Sequence, residues 1–125
     1  MNTDFLNVFL QDMKNNISGF IAVSVTEIET GLSYGSLSVD ANFDAEIASA
    51  YNLEVVKAKF KAVKALNLDA DIEDILITLT NQIHIIDVSP NKKFMIYLAA
   101  DSTKANLGMT RAVLRKYKGE LEKNL

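Results

Sequence analysis

Phe5, Leu6, Phe9, Leu10, Met13 and Ile17 recur at spacings of three and four along the opening segment. That period gathers them on one side of an amphipathic helix, with Thr3 or Asn2 in position to cap it. Asn15-Asn16 weaken the helix and Ser18-Gly19 end it. From Phe20 to Thr26 the chain becomes rich in β-branched residues, Glu29-Thr30-Gly31 follows, and Leu32 to Val39 reads as a further strand. Gly31 supplies the positive φ of a tight reversal, so the pair predicts a β-hairpin.

A second helix begins at a cap on Asn42 or Asp44 and runs to about Leu66, where Asn67 to Asp71 break the period. Three closely spaced strands follow: Ile75 to Thr80, Ile83 to Val88 after Asn81-Gln82, and Phe94 to Ala100 after Ser89-Pro90-Asn91-Lys92. Their nearly unbroken apolar character requires cover on both sheet faces. A last helix places Leu107, Thr110, Leu114, Tyr117 and Leu121 on one side, with Ser102 or Thr103 as its cap. The order is α-β-β-α-β-β-β-α. This predicts an α/β chain of the α+β type, with a mainly antiparallel sheet and helices on its faces.

The second helix has one apolar stripe too many. At about 100° per residue, Ile47, Tyr51, Val55, Ala58, Ala62 and Leu66 share one face, while Leu53, Val56, Phe60 and Val63 form a stripe roughly opposite. A helix lying on a sheet needs only one such face, and a second one left in water forms a patch that monomers avoid. Burying each of Leu53, Val56, Phe60 and Val63 contributes roughly 1.5–3 kcal/mol. The expectation is therefore a homodimer interface through these four residues. Cover by a neighbouring element of the same chain is the competing reading. The strand Ile75 to Thr80 sharpens the question, because it has no Lys or Pro to blunt an exposed edge. At a sheet edge, Leu76 and Thr78 would pair with a symmetry mate; in a central strand they need no such protection.

The 125 residues suit one domain, large enough to fold without metal or disulfide. The absence of cysteine removes thiol chemistry and Cys-based metal sites and agrees with a cytoplasmic location. A net charge of -3 argues against nucleic acid or an anionic membrane as partner. Met1-Asn2-Thr3-Asp4 has no basic n-region, and no apolar run approaches the roughly 20 residues of a membrane span.

Catalytic patterns are missing too. Neither G-x-x-x-x-G-K-[ST] nor G-x-G-x-x-G occurs, so the chain is not expected to hydrolyse nucleotides, to be an enzyme, or to hold a cofactor. The one histidine, His84, has no spaced His or Cys beside it and reads as a half-buried or interface residue with a local hydrogen bond. Asp69, Asp71, Glu73 and Asp74 lack the alternation of a calcium loop and read as a solvated loop and strand entry. Lys57, Lys61 and Lys64 form one basic stripe and Arg111, Arg115 and Lys118 another; such stripes usually read as solvated helix faces, and the alternative is a surface that meets an acidic partner and steers its encounter. Arg111 is expected to anchor or cap the last helix rather than to act as an arginine finger.

Several local motifs, in this order, resemble the roadblock/dynein light chain family, bacterial roadblock-domain proteins included. They are Ile17-Ser18-Gly19-Phe20-Ile21-Ala22-Val23 at the entry to the first strand, Thr30-Gly31 before the second, and Ala45-Glu46-Ile47-Ala48 opening the long helix. Tyr97-Leu98-Ala99-Ala100 leading to Asn106-Leu107-Gly108-Met109-Thr110-Arg111, similar to the family's N-x-G-x-x-R, completes the set. The resemblance runs over about residues 4–121 of what is read as a single roadblock-like domain, 1–125. It implies a five-stranded antiparallel sheet between one helix and two. It also implies homodimers built from the second helix and the third strand. Members of the family bind or regulate small Ras-like GTPases or serve as scaffolds, and bacterial ones activate a gliding-motility GTPase without an arginine finger. The implied function is a non-catalytic homodimeric regulator or scaffold for a small Ras-like GTPase; a small-molecule-sensing domain or a purely structural scaffold subunit are the alternatives.

Overall fold

A computed structural model describes residues 3–125. The elements are α1 (Thr3–Asn16), β1 (Phe20–Glu27), β2 (Ser33–Ser38), α2 (Ala45–Ala65), β3 (Asp74–Thr78), β4 (Gln82–Val88), β5 (Phe94–Asp101) and α3 (Leu107–Asn124). This is the α-β-β-α-β-β-β-α order expected from the residue pattern. The strands form one antiparallel sheet in the order β2-β1-β5-β4-β3. β5 lies at the centre, and every residue from Phe94 to Ala100 is buried. That is why this strand reads as a continuous apolar run rather than an alternating one.

Alternation sends the two sets of side chains to two cores. On one face Val23, Val25, Ile85, Ile96 and Leu98 pack with Leu6, Phe9 and Met13 of α1 and Leu114 and Leu121 of α3. On the other, Ile86, Val88, Met95, Tyr97 and Ala99 pack with Leu53 and Val56 of α2. One helix therefore covers one face and two cover the other. Phe9 meets Tyr117 edge-on at 5.6 Å between ring centroids, and the Tyr117 hydroxyl donates to Asp12 at 2.6 Å, which joins α1 to α3.

Local chemistry fixes most boundaries. Gly19 ends α1 at φ +76°, and a Cβ there would lie 2.9 Å from the Asp101 carbonyl oxygen, so glycine is required for both conformation and space. Gly31 turns the β1–β2 hairpin at φ +76°. Asp44, one of the two expected caps, accepts from the amides of Glu46 and Ile47 at 2.9 and 3.1 Å. Of the expected caps for α1, Asn2 lies outside the described residues.

Two boundary expectations are corrected. The cap of α3 is Asn106, whose side chain accepts from the Met109 amide at 3.0 Å; Ser102 and Thr103 belong to the preceding turn, where Thr103 donates to Asp101. β3 starts at Asp74 and stops at Thr78, because the Leu79 amide already closes the turn onto the Gln82 carbonyl at 2.9 Å. No helix among the described residues is long and apolar enough to cross a membrane.

Candidate interaction surface

The two stripes of α2 are exchanged relative to the sequence expectation. Val56 is 0% and Leu53 5% exposed, both pressed onto their own sheet, and Phe60 is half-buried against the same core. These residues, expected at a subunit interface with Val63, are instead the helix's intramolecular face. The exposed stripe is the other one: Tyr51 is 76%, Leu66 68% and Ile47 57% exposed. Both stripes are apolar, so hydrophobicity does not rank them. One polar contact marks the face turned to the sheet: Ser49, one turn before Leu53, shares a buried 2.7 Å hydrogen bond with Thr26 of β1. The surplus of apolar surface is real, and it sits on Ile47, Tyr51, Val55, Ala58, Ala62 and Leu66. Tyr51 carried the available signal in the sequence, since an apolar ring with a polar tip suits an interface better than a dry core.

The flanks of α2 differ in character. Ser36 of β2 donates to Glu46 at 3.4 Å, which marks the flank over β2. At 100° per residue the same flank carries Lys57, Lys61 and Lys64. The opposite flank, toward β4 and β3, carries Ala48, Asn52, Val55 and Ala62, with Lys59 as its one charge. Thus the charged side of the helix looks toward β2 and the apolar side toward β3.

β3 is an edge strand. Glu73 accepts from the Val88 amide and the Leu79 amide donates to Gln82, so the odd-numbered residues bond inward to β4. The backbone groups of Asp74, Leu76 and Thr78 therefore point outward, away from the sheet. Leu76 is 37% exposed, and no Lys or Pro interrupts the strand. Beneath the apolar flank of α2, Ile75, Ile77 and His84 are half-buried and floor a strip that reaches this edge.

The polar residues singled out in the sequence have structural partners. Arg111 holds Asp74 through Nε and Nη2, both at 3.0 Å, and anchors α3 to β3 as expected. Lys118 donates to the buried Asp87 at 2.8 Å. Burial pushes the Asp87 carboxyl up, against the opposing pull of the Lys118 hydrogen bond and charge. Asp69, Asp71 and Glu73 are exposed, Asp71 pairing with Lys92 at 3.2 Å. His84 bridges Gln82 Oε1, 2.8 Å from Nε2, and the Tyr97 hydroxyl, 3.0 Å from Nδ1, between the rings of Phe43 and Tyr97. Burial holds its pKa below the ordinary range and pushes the Tyr97 hydroxyl up to about 12. Among the described residues no group of three or more His, Cys, Asp or Glu is disposed to hold a metal ion.

No protein-family profile matches the sequence, and no curated protein matches it. Solved structures do. Myxococcus xanthus MglB superposes with a TM-score of 0.85 at 14% identity, over 98% of this chain and 88% of that one. An MglB described with a tetrameric arrangement gives 0.82 at 12% identity, over 97% and 88%. The Roadblock/LC7 domain from Streptomyces avermitilis gives 0.73 at 8% identity, over 92% and 96%. With the element order, the five-stranded antiparallel sheet and these superpositions together, the chain has the fold of the roadblock/LC7 domain.

Proposed function

We propose that the chain, one roadblock-like unit over residues 1–125, is a non-catalytic homodimeric regulator or scaffold that binds a small Ras-like GTPase in the cytoplasm and modulates its turnover. The observation that carries this reading is the juxtaposition of an unguarded β3 edge with the apolar flank of α2, within a roadblock fold. A second copy satisfies both at once. Antiparallel pairing of β3 with its mate, Leu76 opposite Leu76 and Asp74 opposite Thr78, uses every outward backbone group of the strand. The same approach covers Tyr51, Val55 and Leu66. The tetrameric arrangement of one MglB neighbour supports self-association as a property this fold accommodates.

Pairing through β3 leaves the opposite flank of α2 open. Lys57, Lys61 and Lys64 then remain available to an acidic surface of the GTPase, where they steer encounter and favour one conformation of its switch loops. Light scattering during size exclusion tests the dimer. A pull-down with the host's Ras-like GTPase in each nucleotide state tests the partner, and equal lack of binding in all states removes it. A small-molecule sensor is the second reading, favoured by a cavity of about 460 Å³ lined by Phe60, Val63, Leu68 and Ile72 and rimmed by Lys64 and Lys92. Thermal stabilisation by a metabolite, with no binding to the GTPase, would select it.

A further inference from the structure

We propose that self-association across the β3 seam is proton-linked through His84: the second copy closes over a neutral imidazole and is released when that imidazole is protonated. The inference rests on the homodimer reading above and adds its regulation.

The geometry begins with position. His84 lies on the α2 face of β4, opposite Ile77 of β3, in the strip between the apolar flank of α2 and the free edge. It is half-buried in the single chain. A copy that pairs with β3 and packs against α2 covers this strip and takes His84 the rest of the way out of water.

The neutral ring tolerates that move. With the proton on Nε2, the ring donates to Gln82 Oε1 and accepts the Tyr97 hydroxyl at Nδ1, so both nitrogens are satisfied inside the same chain. The protonated ring does not tolerate it, because none of the described residues around it supplies a compensating negative charge. From β3 it meets Ile77, and from β5 Tyr97, whose hydroxyl stays protonated throughout. From the loop before α2 it meets Phe43. The acids near that end are committed elsewhere: Asp44 caps α2, Glu46 reaches Ser36 over β2, and Asp101 binds Thr103. Asp40 lines the cavity beside Gln82 but forms no ion pair with His84, and Lys104 on the same cavity carries the sign of the protonated ring itself. On α2, Ser49 is bound to Thr26, and Asn52 donates to the Ala48 carbonyl.

Burial alone holds the His84 pKa low in the protomer, and deeper burial in the dimer lowers it further. A pKa lowered on association gives an association that is at full strength above the protomer's His84 pKa. It is lost as pH falls through that value toward the dimer's lower one.

Because His84 is the one histidine of the chain, its ring resonances in NMR are unambiguous. The test follows its titration at low and high protein concentration, alongside light scattering between about pH 7.5 and about pH 5.5. The inference expects the His84 pKa to fall as concentration rises, and the dimer to weaken by about tenfold on acidification. In His84→Gln, dimerisation persists at neutral pH and its acid sensitivity flattens. A dimer whose His84 titrates identically at all concentrations overturns this inference and leaves the dimer standing. A chain that is monomeric at every concentration and pH removes the dimer itself. The wild-type titration decides the matter even if the variant does not fold.

Discussion

Arg111 on α3 grips Asp74 on β3 through two parallel hydrogen bonds, Nε to Oδ2 and Nη2 to Oδ1, each 3.0 Å. The fork matches the carboxylate plane, which lysine cannot reproduce. Asp74 opens the edge strand, held on one side by β4 alone, so the clamp fixes that strand to the helix above it. Arg111→Lys should lower stability by about 1 kcal/mol and Arg111→Ala by about 1.5–3 kcal/mol in denaturant unfolding. No change in either variant would mean that the pair is a solvated contact only.

The two stripes of α2 can be told apart by their separate readouts. Val56→Ala removes buried methyls beneath the helix and should cost about 1–2.5 kcal/mol of folding stability. Tyr51→Ser, at a position 76% exposed, should change folding by less than about 0.5 kcal/mol yet weaken self-association. Sedimentation equilibrium and urea unfolding on the two variants check this. A Tyr51→Ser protein that associates like the wild type would disconnect the exposed stripe from the interface.

Asp87 and Lys118 form a buried ion pair, 2.8 Å apart. The carboxyl's raised pKa means that folding favours its protonated form. The resulting penalty is absent below the ordinary carboxylate pKa, grows as pH rises through the raised value, and stays in full at neutral pH. Lys118→Met strips the compensating charge and should destabilise by about 3 kcal/mol at neutral pH. The loss should shrink on acidification as Asp87 takes up its proton. Thermal melts of wild type and variant across the acid range read the difference directly; a loss independent of pH would assign the effect to packing of the lysine stem.

Gly19 is constrained twice, by a φ of +76° and by the Asp101 carbonyl 2.9 Å from any added Cβ. Gly19→Ala should cost about 1–3 kcal/mol. Gly119 on α3, with open space around its Cβ position, provides the contrast. Gly119→Ala should stabilise by up to about 1 kcal/mol through helix propensity. The pair of melting temperatures should move in opposite directions.

The sequence by itself determined the element order, the reversal at Gly31, a cap of α2 on Asn42 or Asp44, a capping or anchoring role for Arg111 and the surplus of apolar surface on α2. Each of these depends on residues close together in the chain, or on a period that one helix or strand imposes, and so is legible without knowing what lies opposite. The α3 cap was misread because three candidate caps fall within five residues, and only backbone geometry chooses Asn106. Tertiary structure alone decided which stripe of α2 meets the sheet. Two apolar faces of similar hydrophobicity are equivalent until a specific partner, here Thr26 reaching Ser49 beneath the helix, fixes the rotation about its axis. It also decided that β3 is an edge and that His84 lies beside it. Strand order is set by pairings between segments distant in sequence, which no local pattern records.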